Sequence, residues 1–376
     1  MWDFALTVHL PSTALLTYRR TMPGSWTFAV ARDDLRRTTL ADGEAPEPAG
    51  GEVLLRVDRV GLSANNVTYA VLGDAMRYWE FFPPEPRGLT GGWGLPPLWG
   101  FADVVASTVP DVVTGQRVYG YLPPAGHLVV RPGRADEHGF RDGSPHRAGL
   151  PSPYNAYRLT TGDPAYRKDS EDLLILFRPL FFTSFMLADQ VADNGFYGAE
   201  SLIFSSASSK TAYAAAVELR GRGPRLVALT SAANVDFTRS LGCYDEVLPY
   251  EDVSRLDAAP AVYLDLSGRP AIRDALRRHL GGRLVRDIAV GLTGQTPNAD
   301  AAGEVFFAPV QMRKRGQDWG RDELDRRFTV AWQRFAAAVG EWIEIRVSDA
   351  PADLPRVWLE VLDGRTPPRV GHVLQL

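Results

Sequence analysis

From residue 201 onward the chain alternates short apolar runs with helix-like segments, and that rhythm restricts its fold more than any other feature. SLIFSS, RLVALT, AVYLDLS and RLVRDIAVG read as strands; TAYAAAVELR, ANVDFTRSLG and AIRDALRRHL, lying between them, read as helices. Apolar strands separated by helices specify a parallel sheet covered on both faces, with right-handed crossovers. The expected fold class is α/β, with a Rossmann-type doubly wound parallel sheet at residues 181–320.

The first half has a different texture. Residues 52–60, EVLLRVDRV, alternate in part and are rich in β-branched side chains, as a half-buried strand is. Short strand signals recur at Val104-Val105, at 117–119 and at 128–130, between Gly and Pro turns. A β-rich domain over 1–180 follows. Within it, residues 131–170 carry many Pro, Gly, Arg and Asp and read as an irregular, exposed insertion. Residues 181–192 read as a helix joining the two domains. Residues 321–376 read as a segment that returns to the first domain and ends in the strand HVLQL.

Charge and cysteine content exclude whole classes. A net charge of -4 with scattered cations offers no basic footprint, so no nucleic-acid partner is expected. With Cys243 as the only cysteine, an internal disulfide and a thiolate zinc site are both impossible. Its expected role is that of a small buried hydrophobe. His127, His138 and His146 lack metal-ligand spacing and read as solvated, so no metal is expected. The start, Met1-Trp2-Asp3-Phe4, has no signal-peptide pattern. The apolar stretch 173–187 is broken by Arg178 and Pro179, short of the roughly 20 residues a membrane span needs. A cytoplasmic protein without a membrane partner is expected.

The loop after the first strand of the alternating series carries the strongest chemical signal. Ser206, Ala207, Ser208, Ser209, Lys210 and Thr211 lead into a helix, whose first N–H groups are unpaired and whose dipole favours an anion. Small residues admit a pyrophosphate, and hydroxyls and Lys210 add donors and charge. The same Ser and Thr residues also serve as ordinary helix caps. After the second strand, Ser231 and Asn234 stand where an acidic residue would select NAD. No acid occurs before Asp236, so a 2′-phosphate is accommodated, with Arg239 as a further cation. Here too a helix cap is the alternative.

These motifs support a resemblance. EVLLRVDRVGLSANNVTYAVLG, RVYGYLP and the closing GRTPPRVGHVLQL resemble the zinc-free quinone-oxidoreductase and enoyl-reductase members of the medium-chain dehydrogenase/reductase superfamily. SASSKTAY, LTSAANVDFTRSLGCYDEVLPY and FFAPVQMRKRGQDWG resemble a branch catalogued as a domain of unknown function. The resemblance implies a GroES-like β-rich domain completed by the C-terminal strand, a Rossmann domain, and a cleft between them where nicotinamide and substrate meet. It also implies a homodimer formed through the Rossmann sheet. The chain departs from that family in its phosphate loop, where Ser, Lys and Thr replace glycines. It also departs at Ala75, where enoyl reductases place a catalytic tyrosine.

The resemblance places SANNVTY at the nicotinamide end of the cleft, with Tyr69 as proton donor, Asn66 orienting the reacting oxygen and Tyr78 as the fallback donor. The bland alternative is packing for Tyr69 and a turn for the asparagines. Aromatic residues crowd 78–101 as a ligand pocket or as core. Asp265 either nears the cofactor or caps its own turn. The run Met312-Arg313-Lys314-Arg315 is a solvated face or steers an anionic, carrier-borne substrate. Together these readings point to a reductase using NADPH on a carbonyl or activated C=C of a small or acyl-type, polyketide-like substrate. Two alternatives stay open: a lyase or hydrolase on the same fold, or a binding protein without turnover.

Overall fold

The structure, a computed structural model, describes residues 25–290 and 304–376; the reading of the first four residues falls outside them. In the first domain β1 (Ser25–Ala31) pairs with β2 (Thr38–Gly43). Next come β3 (Val53–Leu62), helix α1 (Ala64–Val71), β4 (Trp93–Gly94), which also pairs with β1, β5 (Leu98–Ser107), β6 (Arg117–Leu122) and β7 (His127–Val130). The strand signals in the sequence fall on β3, β5, β6 and β7. β3 is central because it pairs on both edges, with β5 and β18; its apolar ends are buried, while Arg56, Asp58 and Arg59 in its middle are not.

The Pro-rich segment is not the exposed loop that its composition suggests. It forms β8 (Pro132–Asp136), β9 (Gly139–Asp142) and β10 (Ala156–Leu159), and β10 pairs with β6, so the insertion widens the main sheet. Tyr157 lies flat over Gly120, where a Cβ would stand 2.5 Å from its ring. Arg147 and Asp142, both about 1% exposed at the side chain, form an ion pair at 3.1 Å. The same guanidinium donates to Phe81 O at 3.2 Å and sits 4.8 Å from the Phe82 ring. A buried charge is tolerated only when paired and hydrogen-bonded, and here both conditions are met. His127, read as solvated, is instead buried in β7 beside Ser25.

Helix α2 (Glu171–Asp193) then crosses between the domains. It runs through Arg178 and Pro179 without ending, so the apolar stretch is longer than the sequence reading allowed. It has the length and apolarity of a membrane span, yet it is largely buried inside the protein. Its apolar faces serve as core to both domains. The second domain follows: β11 (Ser201–Phe204), α3 (Lys210–Leu219), β12 (Arg225–Thr230), α4 (Val235–Ser240), β13 (Glu246–Pro249), β14 (Ala261–Asp265), α5 (Pro270–Leu280), β15 (Leu284–Val290), β16 (Glu304–Phe306) and α6 (Ala308–Asp318). All its strand pairs are parallel, in the order β13-β12-β11-β14-β15-β16. That is the Rossmann order, and with the antiparallel first domain it gives the GroES-like plus Rossmann architecture.

Helix α7 (Arg321–Trp342) stays with the second domain, packing Phe335 on Phe177 and Phe181 of α2 at ring distances of 5.4 and 4.8 Å. The return to the first domain begins only at β17 (Glu344–Asp349), followed by α8 (Leu354–Leu362) and β18 (Val370–Gln375). β18 pairs antiparallel with β3 and completes the first domain's sheet, as expected.

Two glycines let α2 sit on that sheet. A Cβ on Gly61 of β3 would stand 2.6 Å from Ile175 Cγ2, and one on Gly371 of β18 would stand 2.4 Å from Leu176 Cδ1. Arg117 anchors the helix's start, reaching Asp58, Asp103 and Glu171 at 2.7, 2.9 and 2.7 Å. We expect Gly61→Val to cost about 1–3 kcal/mol of stability by overpacking. Gly50→Val, at a site with open space, serves as the control. Urea unfolding checks this, and equal losses in both variants would contradict the packing argument.

Candidate functional site

In a doubly wound sheet the connections leave the two central strands in opposite directions, and a crevice opens at their carboxyl ends. Here those strands are β11 and β14. The crevice is rimmed by residues 205–209 after β11, 231–234 after β12, Tyr250 after β13 and 266–269 after β14.

The loop at Ser206 turns sharply. Its φ is 50°, in the left-handed region, where glycine is the usual occupant. The Ser206 N–H donates to Tyr250 Oη at 2.9 Å, and Ala207 O accepts from Tyr244 Oη at 3.0 Å. Ser208 Oγ accepts from Asn234 Nδ2 at 3.2 Å and bonds Thr230 Oγ1 at 3.3 Å. Ser209 caps α3 by accepting from the Ala212 N–H at 3.3 Å. Hydroxyls thus hold the turn in shape, and Asn234 is tied to the loop. The Lys210 and Thr211 N–H groups open α3 and have no intrahelical acceptor. Thr211 O accepts from Ser184 Oγ of α2.

Lys210 does not lie over the loop as the sequence reading had it. Its Nζ donates to Val370 O at 3.0 Å and Pro368 O at 3.5 Å, bridging the loop to β18. Burial lowers its pKa to about 8. Arg239 is paired with Asp236. The cation at the crevice is one the sequence reading missed, Arg269, exposed and 5.3 Å from the Tyr250 ring. Ser231 is half-buried at the end of β12. Asp265 resolves into a turn cap. Its Oδ1 accepts from Ser205 Oγ, Tyr263 Oη, Ser267 Oγ and the Ser267 and Gly268 N–H groups, while Oδ2 pairs with Arg273.

At the other end, a narrow interdomain cleft is lined by Ser63, Asn65, Asn66 and Trp99 on one side and Ile175, Leu176, Pro179 and Leu180 of α2 on the other. Its free volume is about 10 Å³, room for one water. Asn66 is a helix cap: its Oδ1 accepts from the Ser63 N–H at 2.8 Å, and its Nδ2 donates to Pro97 O at 2.8 Å. The turn reading of this asparagine is the one realised. Asn65, one residue earlier, is the amide held toward the cleft, with Nδ2 donating to Tyr69 Oη at 2.7 Å. Trp99 Nε1 donates to the same oxygen at 3.2 Å. Tyr69 is buried behind these two residues, and burial pushes its hydroxyl up to about 12, so it stays protonated at neutral pH. The Tyr78 ring lies 4.7 Å from the Tyr69 ring, tilted 50° to it, with its hydroxyl 3.4 Å from that of Tyr154. Both tyrosines belong to one aromatic cluster in which Trp79, Phe81 and Phe82 are core.

Lys314 and Arg315 are neutralised by Asp189, Asp193 and Asp318, so the basic run is mostly an internal tie between α2 and α6. Cys243 is buried and its thiol is pushed up to about 12, as its packing role requires. Among the described residues no group of three or more His, Cys, Asp or Glu could hold a metal ion. The left-handed turn yields a test: Ser206→Gly is expected to keep the full stability, whereas Ser206→Val loses about 1–2 kcal/mol. Thermal unfolding of the two variants decides, and equal losses would mean that the turn imposes no such demand.

Comparison with solved structures places the fold. CurA from Vibrio vulnificus, in complex with NADPH, is similar at 14% identity over 93% of this chain and 98% of that one, with a TM-score of 0.54. For a putative NADPH:quinone reductase from Mesorhizobium loti the values are 13%, 94%, 99% and 0.58. A cobalt- and zinc-bound alcohol dehydrogenase from Pyrobaculum aerophilum gives 18%, 94%, 100% and 0.52. At such identities the likeness establishes a fold shared with these proteins. No curated protein matches the sequence. A family model described as "Protein of unknown function (DUF2855)" matches residues 60–367, and the chain belongs to that family.

Proposed function

We propose that the protein is a nicotinamide-dependent reductase that takes NADPH in the crevice at the ends of β11 and β14. The observation that carries this reading is the tight left-handed turn at Ser206, set at the switch point of a Rossmann-ordered sheet and opening onto the free N–H groups of α3. The residues fit the phosphate-bearing part of the cofactor. The Lys210 and Thr211 N–H groups would hold the pyrophosphate, with Ser206, Ser208 and Ser209 shaping the loop beneath it. Ser231 and Asn234, after β12, would take the ribose side, with Arg269 beyond Tyr250, and no Asp or Glu stands between Thr230 and Asp236 to repel a 2′-phosphate. When bound, NADPH supplies a hydride to a carbonyl or activated C=C of a small or acyl-type substrate.

The chain's own part is orientation and proton supply. Reduction of either group builds negative charge on oxygen. Asn65 presents its amide to that oxygen, and Tyr69, a neutral phenol whose lone pairs are taken by Asn65 and Trp99, keeps its proton to give. Asn66 holds α1 in place and so positions Asn65; Tyr78 packs against the donor ring. The cleft must widen to receive a substrate, and α2 moving off Asn65 and Trp99 would open it. We further propose a zinc-free enzyme of the cytoplasm, where a lone free cysteine is at home. We also propose a homodimer through the edge strand β16, where Val305 and the neighbouring Phe307 and Val310 are 56, 59 and 58% exposed.

Calorimetric titration tests the cofactor. NADPH is expected to bind at least about tenfold tighter than NADH, and Ser231→Asp to reverse that order by charge repulsion. Equal or tighter binding of NADH by the unaltered protein would refute it. For the chemistry, Tyr69→Phe removes only the hydroxyl. With an enone or aldehyde that the protein reduces, we expect kcat to fall about 10²–10⁴-fold at unchanged NADPH affinity. A rate within a few-fold of the parent would exclude Tyr69 as the donor.

A further inference from the structure

A second concave site lies on the outer face of the Rossmann domain, where α2, the carboxyl end of α3 and α7 meet. It is a groove of about 340 Å³. Arg222, Arg326, Arg327 and Arg334 line it. Their carboxylates do not match them in number. Glu323 alone serves both Arg326 and Arg327, at 2.6 and 2.7 Å. Arg334 gives one N–H to Glu218 at 2.7 Å and is 59% exposed, so its other donors remain available. Arg222 is exposed, and its charge acts on the neighbouring Glu218 carboxylate without closing an ion pair to it among the described residues.

Two carboxylates also line the groove, and each is already paired: Glu218, only 7% exposed, with Arg334, and Asp189 with Arg315, so neither takes up Arg222 or the outer donors of Arg334. Burial raises the pKa of Glu218. Apolar surface completes the site: Phe185, Ala188 and Ala331, with Val330 50% exposed. Trp319 forms one wall, held by the Arg315 and Arg327 guanidinium groups at 4.5 and 4.1 Å from its ring. Several forked, always-charged donors above an apolar floor match a ligand with a multi-oxygen anionic head and an apolar arm.

We propose that this groove binds an organic phosphate monoester carrying an aromatic or aliphatic arm. A phosphate dianion has three terminal oxygens and can engage several guanidinium groups at once, whereas a carboxylate offers two oxygens and half the charge. The groove and the nucleotide crevice share α3, whose ten residues span about 15 Å. Lys210 opens that helix at the phosphate loop, and Glu218 lies one residue before its end.

Phenyl phosphate is the probe, with benzoate and inorganic phosphate beside it, titrated calorimetrically into the full-length protein. Phenyl phosphate is expected to bind saturably at one site, at least tenfold tighter than either of the others. Arg222→Glu, at an exposed position, should weaken it at least tenfold while NADPH affinity stays unchanged. Arg269→Ala, in the nucleotide crevice, should leave it untouched. Equal binding of inorganic phosphate, tighter binding of benzoate, absence of saturation, or loss in Arg269→Ala but not Arg222→Glu would each overturn the proposal. Thermal unfolding of both variants verifies that they are folded. Failure of NADPH to bind would bear on the proposed reductase, not on the groove.

Discussion

The seating of α2 on the first domain's sheet is the contact on which the remaining geometry depends. Gly61 and Gly371 leave no Cβ between strand and helix, so Ile175 and Leu176 reach the backbone of β3 and β18. Arg117 binds three strand and helix carboxylates at once and fixes where the helix begins. From that start the helix supplies one wall of the interdomain cleft and, farther along, packs α3 and α7 through Phe177 and Phe181. Pro179 sits within the cleft wall and has no N–H to offer the Ile175 carbonyl, which is left facing Gly61. One buried helix thereby sets the spacing of two sheets.

The crevice at the ends of β11 and β14 shows how a loop without the usual glycines keeps its shape. Glycine adopts a left-handed turn at no steric cost; a serine there needs surrounding bonds to hold it. Tyr250, Tyr244, Thr230 and Asn234 provide them. Across the crevice Asp265 gathers five donors on one oxygen and stiffens the turn after β14. A pre-shaped polar rim of this kind costs little to organise when an anion arrives. Lys210, spanning from the loop to β18, links that rim to the other domain.

Legibility followed the range of the interactions. β11, β12, β14 and β15 were readable because each is an apolar run bounded by turn residues, and α3 and α5 because small or amphipathic segments fill the gaps. The insertion was misread because Pro and Gly report local turn preference, whereas its burial rests on Arg147 meeting Phe81 and Phe82 some 65 residues earlier in the chain. His127 was misread for a like reason: its burial follows from β7 pairing with β3, not from its neighbours in sequence. At the cleft the motif SANNVTY pointed to the right helix start, and both of its asparagines line the cleft, Asn66 with its amide spent on the cap and Pro97 O, Asn65 with its amide on Tyr69. Which amide caps and which faces out is a matter of helical phase, and one residue turns the side chain by about 100°. Arg269 and Tyr250 carried no motif and met only through the parallel order of the sheet.

What the sequence determined by itself was the class of the fold and the location of the tight hydroxyl-rich turn that opens α3. Both arise from patterns within ten or twenty residues: alternation of strand and helix, and small hydroxyl residues opening a helix. Tertiary structure alone decided how charges and amides were assigned. Lys210 turned to β18 carbonyls and Lys314 and Arg315 to aspartates on α2, while Arg222 and Arg269 were left facing solvent. A charged side chain takes its role from whichever opposite charge or carbonyl folding brings within a few ångströms. That partner lies anywhere in the chain, so no local pattern can announce it.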